Sequence, residues 1–270
     1  MARPLWRGSL SFGLVNVPVA LLPATKDLDV HFHQLSKKTN ARLEIRRICT
    51  KENTEVDYDE LGHGYETDGG KQVVLTDEEL DAVAPDKTRT IDIEQFVDVC
   101  DIDPVFFDSS YFLVPDEQGE GPTRAYHLLV EAMRDQRRAA IGRFVLRTKE
   151  HLAAIRVRDD LLMVTTMRFA DEVRDPKDLP LPDGRKHKPS DDEIDNAVAL
   201  LEELSGGFDP KHLTDRHRDR LLKIIKRKQE GETIKAPAAP ETPKAVPNLL
   251  EALERSLQDV RGREKAGSRG

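Results

Sequence analysis

Hydrophobic and polar positions alternate with different periods along this chain. Residues 9–22, SLSFGLVNVPVALL, are apolar and rich in β-branched side chains. Asn16 and Pro18 interrupt the run, so it predicts two short strands or one bent strand. At 41–49, Leu43 and Ile45 alternate with Arg42, Glu44 and Arg46, the period of a half-exposed strand. Further strands are predicted at 72–75, 90–93, 95–100, 111–114, 141–147, 153–158 and 161–168. Thr76-Asp77-Glu78-Glu79 has the form of a capping box, in which the threonine hydroxyl accepts from an amide and the glutamate reaches back. Residues 123–134 read as a helix with Ala125, Leu129, Ala132 and Met133 on one face.

Near residue 175 the texture changes. Pro176, Pro180, Pro182 and Pro189 mark a loop, and Ser190-Asp191-Asp192-Glu193 is a second capping box. The helix behind it carries Ile194, Ala197, Val198, Leu201 and Leu204 on one stripe, with Gly206 and Gly207 as its expected stop. Another helix is expected over about 214–230, ending at Gly231. Many strands followed by helices indicate an α+β arrangement, a β-barrel-like core at 1–189 with an appended helical arm at 190–230. Residues 231–247 form a Pro/Ala-rich linker. Beyond it, 248–262 reads as a short amphipathic helix, with Asn248 as cap and Leu249, Leu250, Leu253, Leu257 and Val260 on one side. Such a tethered helix either docks into a partner's groove or folds back onto its own core. Residues 263–270 read as a disordered tail.

The charge distribution sharpens this picture. The net charge of −8 by itself argues against nucleic acid, but it averages over segregated blocks. Residues 31–51 hold six bases (Lys37, Lys38, Arg42, Arg46, Arg47 and Lys51) against one acid, Glu44. Eight bases face two acids in 134–158, Arg137, Arg138 and Arg143 among them, and eight face two in 211–228. In contrast, 52–68 carries seven acids and no base. Each basic block is compatible with a solvated face or internal ion pairs, but three together suit phosphate binding, which needs local Lys and Arg and discriminates little between sequences. Arg42 and Arg46 share one face of the 41–51 strand, suited to lying along a groove. Few aromatics lie among the bases, which counts against a stacking platform for single strands.

No GxxxxGK[ST], GxSxG, HExxH or GxGxxG motif is present. His31 and His33 lack a third ligand in sequence. The acidic clusters Asp77-Glu78-Glu79 and Asp191-Asp192-Glu193 resemble a nuclease metal site, yet each opens a predicted helix, where acids oppose the helix dipole. Cys49 and Cys100 stand in no metal-ligand spacing and read as buried free thiols. No apolar run approaches a membrane span, and Met1–Arg7 does not read as a signal peptide. The expectation is a cytoplasmic protein that is not an enzyme and uses no cofactor or metal.

Several segments in order carry a resemblance. Trp6-Arg7-Gly8-Ser9-Leu10-Ser11-Phe12-Gly13-Leu14-Val15-Asn16-Val17-Pro18-Val19 is followed by Phe32-His33-Gln34-Leu35, Gly64-Tyr65-Glu66 and Leu75-Thr76-Asp77-Glu78-Glu79-Leu80. Then come Ile102-Asp103-Pro104, Tyr111-Phe112-Leu113-Val114-Pro115, Ala125-Tyr126-His127-Leu128-Leu129, Ala140-Ile141-Gly142-Arg143-Phe144-Val145 and Phe208-Asp209-Pro210. Over about residues 3–230 the chain resembles bacterial Ku proteins. The resemblance implies a β-barrel with a strand-built DNA bridge at about 28–80 and a helical arm reaching onto a second subunit, so that a two-fold homodimeric ring threads duplex DNA from an end. It also implies a multifunctional ATP-dependent DNA ligase as partner in non-homologous end joining.

On that resemblance, Lys37, Lys38, Arg42, Arg46, Arg47 and Lys51 are the first candidates for DNA contact, with Arg137, Arg138 and Arg143 second. Ile194, Val198, Leu201, Leu222 and Ile225 are candidates for the dimer interface, and Leu249, Leu250, Leu253 and Leu257 for ligase docking. Two departures matter. Thr50, Lys51, Glu52 and Asn53 stand where some relatives place a second cysteine and a glycine, and a Lys-rich tail is reduced to Arg261, Arg263, Lys265 and Arg269. The rival readings are a protein-only scaffold, which the acidic total favours, and a metal-dependent nuclease, which needs clustered carboxylates on one cavity.

Overall fold

Gly13, at φ +60°, and Leu14 turn the first apolar run back on itself, making a hairpin of β1 (Trp6–Phe12) and β2 (Val15–Pro23). The break therefore falls at Gly13 and not at Asn16 or Pro18. β2 runs straight through Pro18 because its second neighbour begins to pair only at Val19, so no ladder amide is missed there. Leu10, Val17, Val19 and Leu21 lie fully buried on the inner face.

A computed structural model describes residues 3–85, 89–116, 119–180, 188–232 and 250–258. Asn248, Leu249, Val260, the 263–270 tail and most of the 231–247 linker lie outside the described residues. The chain divides into two units, 1–28 with 33–178 and 29–32 with 179–270.

The first unit is built on a closed seven-stranded barrel. Besides β1 and β2 it uses β5 (Thr90–Asp98), β6 (Phe107–Pro115), β7 (Arg138–Leu146), β8 (Lys149–Arg158) and β9 (Leu161–Met167), in the order β1-β2-β6-β9-β8-β7-β5. A parallel pairing of β1 with β5 closes it, so no edge is left open. The two glycines beside β5 make that closure tight. A Cβ on Gly8 would stand 2.1 Å from the Arg89 carbonyl oxygen, and one on Gly142 would stand 2.3 Å from that of Asp92. The gap at residue 94 between two predicted strands is a register shift between Ile93 and Gln95 within the one strand β5.

Helix α2 (Glu120–Gln136) packs against β2, β6, β7 and β8. Its buried side chains are Tyr126, Leu129, Val130 and Met133. Ala132, expected on the inner face, is exposed, and Tyr126 takes the stripe instead. The Tyr126 hydroxyl donates to the Leu113 carbonyl at 2.7 Å and accepts from the Leu162 amide at 2.8 Å, satisfying one group on each of β6 and β9. Burial pushes this phenol above its ordinary pKa.

Between β2 and β5 the chain leaves the barrel. That excursion contains the hairpin β3 (His63–Glu66)–β4 (Gln72–Leu75) and the short helix α1 (Asp77–Ala82), whose Thr76–Glu79 capping box forms as expected.

The second unit holds α3 (Asp191–Leu204) and α4 (Arg216–Gln229). Ser190 and Glu193 form the second capping box. Ser205 ends α3 in extended conformation, its hydroxyl donating to the Leu201 carbonyl at 2.7 Å. The expected glycine stop is thus absent there, and neither Gly206 nor Gly207 is left-handed. Gly231, at φ +86°, does supply the left-handed turn after α4. Residues 250–258 are helical. Among the described residues no helix is long and apolar enough to cross a membrane.

Candidate nucleic-acid interface

The 41–49 segment is extended but is not a regular strand. It makes one isolated bridge at each end, Leu35 with Arg42 and Ile48 with Glu55. The reason lies beneath it: Leu43, Ile45 and Ile48 are all exposed, Ile45 at 88%. The alternating pattern is present, but among the described residues the apolar face has no core to cover.

Backbone hydrogen bonds nevertheless give this segment a definite course. Ser36 donates to Ala41 and Leu43 to Gln34, then Cys49 to Thr54 and Val56 to Arg47, at 2.8–3.1 Å. Residues 34–56 therefore form a narrow zigzag ribbon with two tight turns, each closed by an asparagine at φ 55°, Asn40 and Asn53. Asparagine tolerates that conformation better than other side chains. Lys37 and Lys38 sit on the first turn, Arg42, Arg46 and Arg47 on the middle segment, and Lys51 on the second turn. All six are exposed.

Their charges are only partly occupied. Arg46 donates to Glu44 and Glu55, both at 3.1 Å. The Arg47 guanidinium stands 5.3 Å from the centre of the Tyr58 ring. Tyr58 was not visible as a partner in sequence, lying as it does beyond the basic block among the acids. Lys37, Lys38, Arg42 and Lys51 have no ion-pair partner among the described residues. On the second turn, Cys49 is partly buried and accepts from the Glu52 and Lys51 amides, which hold its thiol below the ordinary value. Cys100 is exposed, so the expectation of two buried thiols does not hold.

The second group of cations divides. Arg137 caps α2 in a left-handed conformation (φ 52°) and Arg138 opens β7. Both contribute, after the Cys100 amide, to holding the Asp98 carboxyl below its usual range. With Arg134 and Arg156 they line a cavity of about 560 Å³. Arg143 is differently placed. It donates to Glu94 at 2.9 Å and to Glu150 at 3.2 Å, and those two carboxylates hold its guanidinium more firmly protonated than usual, the bond to Glu150 leading. A cation between two acids presents little positive field to a phosphate.

The acidic clusters are accounted for locally. Asp77–Glu79 and Asp191–Glu193 each occupy a first helical turn. Among the described residues no three His, Cys, Asp or Glu side chains converge as metal ligands.

Residues 11–196 match the Ku70/Ku80 beta-barrel domain. The chain belongs to the Ku family. It is 43% identical over 264 residues to the "Non-homologous end joining protein Ku" of Anaeromyxobacter sp. (strain K), covering 97% of this chain and 88% of that one. Its identity to the protein of the same name from Heliobacterium modesticaldum is 39% over 267 residues, covering 98% and 95%. For that of Mycobacterium tuberculosis (strain H37Rv) it is 37% over 275 residues, covering 98% and 97%. The Ku match takes in the barrel from the end of β1, the ribbon and the start of α3.

The residues expected at a dimer interface and a ligase-docking stripe are placed as follows. Ile194, Val198 and Leu201 lie exposed on α3, Leu201 at 66%. On α4, Leu222 is exposed and Ile225 partly buried. Leu250, Leu253 and Leu257 fall within the 250–258 helix and are partly buried, whereas Leu249 lies outside the described residues.

Proposed function

We propose that this Ku chain binds the ends of linear double-stranded DNA without regard to sequence, as a two-fold homodimeric ring. In this reading it recruits and stimulates a multifunctional ATP-dependent DNA ligase during double-strand break repair by non-homologous end joining. One observation carries the proposal. Within the excursion between β2 and β5, residues 34–56 form an extended ribbon bearing six exposed cations, in a chain whose net charge is −8. Its exposed Lys and Arg side chains suit phosphates, which position without specifying sequence.

Lys37, Lys38, Arg42, Arg46, Arg47 and Lys51 are the proposed DNA contacts. Arg137 and Arg138 follow, and Arg143 ranks below them because Glu94 and Glu150 already hold it. Ile194, Val198, Leu201, Leu222 and Ile225 are the proposed dimer surface. A two-fold interface uses one patch twice, so a modest apolar stripe on each arm becomes a larger buried area. Leu249, Leu250, Leu253 and Leu257 are the proposed ligase-docking stripe. The protein holds and presents the end, and the ligase performs the chemistry.

Titration of a blunt linear duplex at rising salt tests the DNA-binding part. Several phosphate contacts require log affinity to fall steeply and linearly with log salt, by about 10³–10⁵ between roughly 50 and 200 mM for six to ten contacts. Salt-independent or undetectable binding contradicts it and leaves the protein-only scaffold.

A further inference from the structure

At one end of the barrel, four separate stretches of chain bring cations and aromatic rings together. The first cavity there, of about 450 Å³, is lined by Trp6, Arg7, Arg89 and Arg147. A second, of about 480 Å³, is lined by Tyr111, Arg147, Lys149 and His151. Leu5 and Arg147 belong to both, so the two adjoin as one groove. Each part lies within the roughly 300–1,000 Å³ typical of small-molecule sites.

The electrostatics are one-sided. Arg7 is paired with Asp116. Among the described residues, Arg89, Arg147 and Lys149 have no ion-pair partner and no acid lines either cavity. An overall negative chain that gathers unpaired cations around a concavity has built an anion site.

The rings are held in place. Trp6 meets Phe144 edge to face at 5.9 Å, and Phe144 lies 5.9 Å from His151. Phe144 is buried, so it anchors one half-exposed ring in each cavity. The absence of a side chain at Gly8 leaves room for the Trp6 ring edge, which a Cβ there would meet at 2.3 Å.

Arg147 supplies an independent sign. β7 and β8 pair from Leu146 with Lys149, leaving a two-residue loop whose first residue is Arg147 at φ 62°. Such loops usually place glycine or asparagine at a positive φ. A long cationic side chain accepts the backbone strain here, and its side chain lines both halves of the groove.

We propose that this groove binds single-stranded nucleic acid, with phosphates on Arg89, Arg147 and Lys149 and bases against the Trp6 and His151 rings. Alternating cations and rings are how sequence-tolerant single-strand sites work. On a protein that holds duplex ends, the strand is the unpaired overhang. The inference rests on the end-binding reading only for that source of the strand.

Trp6 is the sole tryptophan, so its emission reports directly on the groove. The test titrates the full chain with oligothymidylate of about eight nucleotides, within the range of single-strand site sizes. Saturable quenching of Trp6 is expected, weakened about tenfold in Arg147→Gly, roughly the loss of one good contact. Glycine suits the turn, so this variant stays folded and binds blunt duplex as the parent does. Unchanged emission overturns the proposal, as does equal quenching in the parent and Arg147→Gly. Equal quenching by thymidine monophosphate at the same nucleotide concentration also overturns it, making the groove a free-nucleotide site. Failure of blunt duplex to bind would instead strike the end-binding reading, since the Trp6 readout needs no duplex.

Discussion

Arg46 and Glu55 face each other across the second turn of the ribbon, with a guanidinium nitrogen 3.1 Å from a carboxylate oxygen. Glu44 holds a second nitrogen of the same arginine at the same distance. All three side chains are more than half exposed, so these pairs are weak and easily exchanged for phosphate. Arg46 is thus held in shape by weak, exposed pairs, while among the described residues Lys37, Lys38, Arg42 and Lys51 carry the ribbon's unshared charge.

Replacing those acids tests that competition. Glu44→Gln with Glu55→Gln should tighten blunt-duplex binding a few-fold, since an exposed pair is worth about 0.2–1 kcal/mol. Arg42→Glu with Arg46→Glu should weaken it strongly and lower the salt slope by about one for each phosphate no longer neutralised. Arg143→Ala should change affinity much less than either ribbon arginine. Fluorescence anisotropy at several salt concentrations reads all three, and a dominant effect at Arg143 would move the interface from the ribbon to the barrel wall.

Stability should hinge on Tyr126. Tyr126→Phe keeps the ring and removes only the hydroxyl, leaving the Leu113 carbonyl and the Leu162 amide without their partner. A buried polar group stripped of its bond costs about 1–3 kcal/mol. A lower Tm with unchanged far-ultraviolet circular dichroism is expected. A neutral result would mean that the two groups bond each other once the hydroxyl is gone.

The arm makes its own prediction. Leu201→Asp places a charge on the exposed stripe of α3, and two-fold symmetry enters it twice per interface. Sedimentation velocity should show a folded monomer, with end binding abolished alongside the dimer. A dimer that persists excludes this stripe as the interface.

The C-terminal helix should separate ligation from DNA binding. Leu253→Asp is expected to abolish stimulation of the partner ligase while leaving duplex affinity and Tm unchanged. If Tm falls and stimulation stays, the helix folds back onto its own chain instead of docking.

Legibility in the sequence followed the presence of a core. Where strands cover one, as at Leu10, Val17 to Leu21 and Leu162 to Val164, period and apolar content located them, and the two capping boxes marked α1 and α3 to the residue. Over 41–49 the same alternation misled, because Leu43 and Ile45 find no apolar cover among the described residues. The helix face at Tyr126 was missed because a tyrosine on a polar-looking turn gains its burial only from the strands it bridges. Charge blocks found the ribbon, since its bases are closely spaced. They also promoted Arg143, whose two acids stand 49 residues before it and 7 after it and meet it only through the β5–β7–β8 sheet. The barrel-end groove had no linear signal at all: Trp6, Arg89 and Arg147 are gathered by strand closure alone.

Competition between DNA topologies tests the central claim most directly. Labelled linear duplex is bound and challenged with equal mass of unlabelled linear or covalently closed circular DNA. The account predicts that only the linear competitor displaces the probe, because a closed ring loads from an end. Equal displacement by the circle would contradict it, showing a phosphate-binding surface that needs no end.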